Sequence, residues 1–138
     1  MRQGEAVFVD SGAWIALALS RDPLHAPARE QWESLQSAAA KLHTSVPVIV
    51  ETFTFLDRNA ARNVALAWKE SIDRLPGLKV HVCDLRDLER AWDYFRRTDL
   101  HRLSAVDATS FAIMKRAEIR IAYTFDHHFT VVGFRAVG

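Results

Sequence analysis

Five short runs rich in β-branched and aromatic residues alternate along this chain with stretches of helical periodicity, and few folds accept that order. The runs are Ala6 to Val9, His43 to Ser45, Lys79 to Cys83, Arg120 to Thr124 and Phe134 to Val137. Strands joined through helices are parallel neighbours, because a parallel pair needs a crossover longer than a turn. The order therefore predicts a three-layer α/β/α sandwich around a mostly parallel sheet of about five strands. With 138 residues and no repeat, low-complexity tract or linker, residues 1–138 read as a single domain.

The intervening segments show their buried faces by spacing. Trp14, Ile15, Leu17 and Ala18 open the first helix, and Trp32, Leu35 and Ala39 mark a second over Ala28 to Leu42. Pro47 suits a first helical position and opens PVIVETFTFLDRN. Val64, Ala65, Trp68 and Ile72 give the next helix its apolar face, and Leu75, Pro76 and Gly77 end it. Leu85 to Arg97 is read with Leu85, Leu88, Trp92 and Phe95 turned inward. The last long helix lies in Leu103 to Lys115, with Ala108, Phe111, Ala112 and Lys115 on one stripe.

Composition narrows the class. Lys and Arg number 18 against 17 Asp and Glu, which argues against a globally basic nucleic-acid binder but permits a local basic rim. Binding to a polyanion is then expected to rest on few phosphate contacts. Cys83 is the sole cysteine, so no internal disulfide forms; it reads as a small core residue, and a reducing, cytoplasmic setting is expected. No apolar run reaches membrane-spanning length, and MRQGEAVFVD leads into a strand without a signal peptide.

Four acids stand out against this frame. Asp10 follows the first strand directly, where open α/β sheets form their crevice, although capping the next helix accounts for it equally well. Glu51 sits among Val48, Ile49, Val50, Phe53, Phe55 and Leu56, a costly place for an unpartnered charge, and is read as a site residue. Asp107 comes three residues after Ser104, the spacing of a capping box. Asp126 follows the fourth strand. In a doubly wound sheet all four could reach one edge.

Two carboxylates about 4 Å apart repel by about 4 kcal/mol at an effective dielectric near 20. Four together need protons or a divalent cation. An all-oxygen set fits magnesium or manganese. His127 and His128 are adjacent and lack zinc-site spacing, so a structural or surface role is expected. His25, His43, His81 and His101 are scattered and receive no metal role. A hard cation with open positions suits phosphoryl-transfer chemistry.

In order along the chain, VFVDSGAWIAL, VIVETFTFL, LSAVDATSFAIMKR and TFDHHF carry four motifs. Together they resemble the PIN-domain ribonucleases, most closely toxins of the VapC type. The resemblance implies a PIN-like fold and metal-dependent endoribonuclease activity. It implies Asp10, Glu51, Asp107 and Asp126 as metal ligands and catalytic residues, with Thr124 orienting the site. It also implies RNA as substrate, a homodimer and a small antitoxin partner. Many relatives place an aromatic residue and an acid just before the third motif; Leu103 and Arg102 stand there here, with Asp99 upstream.

With no histidine placed to serve the acids, water activated by the cation is the expected nucleophile rather than a 2′-hydroxyl. Arg58, Arg62 and Lys69, beyond Glu51, are candidates for an RNA-binding rim. Two alternatives stay open. One is a PIN-like module that binds nucleic acid without cutting it. The other is an aspartate-dependent phosphohydrolase, which usually needs an acid two residues after the nucleophile, where this chain has Gly12.

Overall fold

A computed structural model describes residues 1–138. Its strands are β1 (Ala6–Val9), β2 (Lys41–Ser45), β3 (Lys79–His81), β4 (Ile121–Tyr123) and β5 (Arg135–Ala136). They form one sheet in the order β3-β2-β1-β4-β5, every pair parallel. The helices are α1 (Ser11–Ala18), α2 (His25–Ser37), α3 (Val46–Asn59), α4 (Arg62–Asp73), α5 (Leu85–Phe95), α6 (Ala105–Arg116) and α7 (His128–Val131). The first four carry the chain outward from β1 to β3, and α5 and α6 bring it back across to β4. Right-handed crossovers put those two groups on opposite faces of the sheet.

Central parallel strands are covered on both sides, so they should be apolar throughout. Val7, Phe8 and Val9 of β1 and Ile121, Ala122 and Tyr123 of β4 are all buried. The connections from β1 and into β4 run in opposite directions. The carboxyl ends of these two strands therefore border the crevice where such sheets bind ligands.

The second helix ends earlier than its periodicity suggests. Ala39 takes the left-handed backbone (φ 49°), which stops helical hydrogen bonding. Lys41 N–H then donates to the Glu5 carbonyl at 2.8 Å and pairs with Ala6, so Lys41 and Leu42 belong to β2. Sheet pairing wins over local pattern there.

The inward face of α5 differs from expectation. Leu85, Trp92 and Phe95 are exposed, while Asp87, Ala91 and Tyr94 face inward. Asp87 tolerates burial because its carboxylate is fully engaged. It closes a capping box with Asp84 and takes two bonds from the Arg116 guanidinium, at 2.8 and 3.0 Å. The adjacent guanidinium, against the opposing effect of burial, holds the Asp87 carboxyl below the usual carboxylate range. Truncating one partner of such a pair strands the other, so Asp87→Ala should cost about 3 kcal/mol in chemical denaturation. A loss under about 0.5 kcal/mol would mean the clamp does not hold α5 on α6.

The helix α6 was expected to bury one stripe. Instead Asp107 to Met114 are all buried, and Lys115 is exposed. Tyr94 and Phe129 pack edge-on against Phe111, with ring centroids 5.1 and 4.8 Å away.

Candidate active site

Asp10 occupies the N-cap position of α1, yet its carboxylate makes no capping bond. Its Oδ2 accepts a hydrogen bond from Thr124 Oγ1 at 2.9 Å, across the gap between β1 and β4. The same hydroxyl oxygen accepts the Asp126 N–H at 3.0 Å, so Thr124 ties the two strand ends together. The Asp10 side chain therefore caps nothing and is engaged across the crevice instead.

Asp107 shows a similar division of labour. Ser104 Oγ accepts the Asp107 N–H at 3.0 Å, which is half of a capping box. The Asp107 carboxylate does not return to the Ser104 N–H, as Asp87 does to Asp84; it lies close enough to Asp126, Asp10 and Glu51 to feel their charges. Glu51, in α3, is half-buried and accepts the Ser11 hydroxyl on Oε1. Ser11 joins the candidate residues through this bond and was passed over by pattern reading, although a hydroxyl beside the strand-end acid is a usable signal.

Not all of the reasoning about α3 survives. Its outer face carries exposed Val46, Val50 and Phe55, so an apolar neighbourhood in sequence does not by itself bury Glu51. Cys83 is only at the margin of the core: half-buried, it packs against the core cluster and lines an apolar cleft with Val46, Val50, Glu51, Val82 and Val106.

Crowding shifts the acids. Burial, opposed by bonds from Thr124 and the Ser11 N–H and reinforced by the Glu51 and Asp126 charges, pushes Asp10 up to about 6. Burial, then the Asp10 charge and the hydrogen bond with Asp126, push Asp107 up to about 9. Burial alone would raise Asp126 as well. Its hydrogen bond with Asp107, the His128 N–H and the His128 ring outweigh that and hold it below the usual range. Without metal, the crowding favours the protonated form of Asp107 at neutral pH.

One histidine stands beside the acids, in the structural role expected of it. His128 is buried, with Nε2 donating to the His101 carbonyl at 2.7 Å. Its Nδ1 lies 2.7 Å from Asp126 Oδ1 at too bent an angle for a hydrogen bond. The ring fixes the Asp126 turn against the segment that leads into α6. Asp126, His127 and His128 form the one trio of ligand-type side chains within 4.8 Å of one another.

Asp10 Oδ1 is buried without any partner. An orphaned, buried carboxylate oxygen beside other oxygen-donor acids fits a hard divalent cation. Other expected residues lie apart. Asp99 is exposed and paired with Arg97, so it plays no part among the acids. Arg62 pairs with Asp57 and Lys69 with Asp73, while Arg58 is exposed and unpaired.

The family model described as the PIN domain matches residues 7–135. The chain belongs to the PIN-domain family. It is 38% identical over 130 residues to the 23S rRNA-specific endonuclease VapC20 of Mycobacterium tuberculosis, in strains H37Rv and CDC 1551 alike. That alignment covers 93% of this chain and 95% of the relative. The crystal structure of VapC20, a toxin that cleaves the sarcin-ricin loop, superposes with a TM-score of 0.82 at 34% identity, over 93% of this chain and 95% of that one. A DNA-bound VapBC from Salmonella typhimurium gives 0.66 at 15% identity, over 99% and 97%, and speaks for the PIN fold alone. No helix is long and apolar enough to cross a membrane.

Proposed function

We propose that this PIN-domain chain is a magnesium- or manganese-dependent endoribonuclease, the toxin of a toxin–antitoxin pair acting in the cytoplasm. The carrying observation is the buried, partnerless Asp10 Oδ1 at the crevice where Thr124 ties Asp10 to the Asp126 turn. Asp10, Glu51, Asp107 and Asp126 would hold the cation, directly or through water. The cation supplies an activated water and neutralises charge on the phosphate. Ser11 and Thr124 orient Glu51 and Asp10 through their hydroxyls. Burial of Asp10 and Asp107 keeps bulk water from screening the site.

The proton inventory supports water over the 2′-hydroxyl as nucleophile. His128 is buried and committed to the His101 carbonyl, which leaves exposed His127 as the sole mobile imidazole beside Asp126. In-line attack by water leaves a 5′-phosphate and a free 3′-hydroxyl, and a deoxy sugar at the cut position should not stop it. Cleavage should vanish on chelation and return with manganese or magnesium. A 2′,3′-cyclic phosphate product would assign the reaction to a base such as His127 and sink this mechanism.

Arg58 is the proposed phosphate contact beside α3, with Arg62 and Lys69 weakened by their aspartate neighbours. Leu85, Trp92 and Phe95 leave an apolar ridge of α5 in water, and exposed Val82 borders a cleft with Val46 and Val50. We propose that a second copy covers this ridge in a homodimer. The antitoxin is expected at the apolar cleft of Trp14, Trp32, Trp68 and Leu75 between α1, α2 and α4.

A further inference from the structure

An acidic site repels the molecule it is proposed to cut, so affinity for RNA has to come from elsewhere on the surface. The chain carries a net charge of only +1, yet its cations are unevenly placed. On α3 and α4 they pair locally, as Arg62 does with Asp57, Lys69 with Asp73 and Arg74 with Glu70. Two adjoining clefts show the reverse. The first, of about 420 Å3 between α5 and α6, is lined by Arg90, Arg97, Lys115 and Arg116 against Asp93. The second, of about 710 Å3 at the amino-terminal edge of the sheet, is lined by Arg2, Lys115, Arg120 and Arg135 against Glu5.

Lys115 belongs to both clefts and makes them one surface. Asp99 and Asp87 neutralise Arg97 and Arg116, and Arg96 neutralises Asp93. What remains is Arg2, Arg90, Lys115, Arg120 and Arg135, all exposed and without an ion pair, against the single acid Glu5. The Lys115 ammonium stands 5.8 Å over the Tyr94 ring, which leaves its charge turned outward. Eight residues of α6 separate it from Asp107, about 12 Å along the helix axis at the usual rise.

We propose that this α5–α6 groove, continued onto the lower rim of the sheet, is a second RNA-binding surface. It grips the phosphate backbone of a long or folded substrate while a distant segment of the same RNA lies at the carboxylates. The inference deepens the nuclease reading by naming where affinity for a large RNA arises. Phosphate contacts of this kind carry no base specificity and release counterions on binding. A trinucleotide has only two phosphodiesters, so one held at the acids leaves almost none for the groove.

The test is equilibrium binding in chelator, followed by fluorescence anisotropy, so that it stands apart from cleavage. The parent and Lys115→Gln/Arg120→Gln are compared on a long hairpin RNA and on a trinucleotide. For the hairpin, the double variant should bind about tenfold more weakly, with a salt slope shallower by about two. For the trinucleotide, the two proteins should bind alike. Unchanged hairpin affinity, or equal losses on both probes, would overturn the proposal. So would unchanged RNA binding with lost affinity for an acidic protein segment, which makes the groove a protein interface. Both side chains are exposed, and matching melting temperatures will exclude misfolding.

Discussion

An Asp107→Asn chain is expected to cut RNA about a thousandfold more slowly than its parent, yet to be the more stable protein without metal. Both effects come from one contact. In the parent, burial and the Asp10 charge push Asp107 up to about 9, so it holds a proton it would shed on unfolding. Asparagine can donate an N–H toward Asp126 and has nothing to ionise. At pH about 8 the gain should be on the order of 2 kcal/mol, and it should fade toward pH about 4, where the unfolded parent also keeps its proton. Denaturation in chelator and single-turnover cleavage read the two halves. A variant less stable than its parent at every pH would make Asp107 a structural bond rather than a stored repulsion.

The second large effect is the pH response of the parent itself. Asp10 and Asp107 both titrate higher in the fold than the ordinary 3.8 of an aspartate. Between those values the folded state binds more protons than the unfolded state, so stability falls as pH rises. The decline should begin near pH about 4, pass through about 6 for Asp10 and run on to about 9 for Asp107. Divalent cation reverses the trend, because metal takes the place of protons. Apparent manganese affinity should climb by up to about tenfold per pH unit between about 6 and 9, where one proton is displaced per ion. Melting curves across that range, with chelator and with manganese, should slope in opposite directions. A chelated protein that grows more stable through the same interval would count against the crowded-acid account.

The parts of this site that were legible in sequence are those with a local cause. Asp10 and Asp126 stand out because each ends an apolar strand, and Asp107 because a serine precedes it at capping distance. Strand and helix order fixes a parallel sheet before any contact is known. The parts that were not legible depend on residues far apart in the chain. Asp87 looks like a solvent-facing charge until Arg116, 29 residues on, is placed beside it. With Asp87 turned inward, Leu85, Trp92 and Phe95 have to face out, so the apolar residues of α5 mark a surface instead of the core. His128 reads as a bystander for the same reason, since the His101 carbonyl that holds it lies 27 residues earlier.

The burial of α6 on every side has a consequence for how such a chain can diverge. Asp107 to Met114 have no face open to solvent, and Arg116 clamps the far end of the helix to Asp87. A substitution along those eight positions disturbs the packing beneath Asp107, so this stretch should accept little change. The cations of the neighbouring groove and rim stand in water, where replacements cost little stability. On the reading proposed above, lineages of this protein can therefore retune how tightly they hold a large RNA by redrawing the surface, while the packing beneath Asp107 is inherited intact.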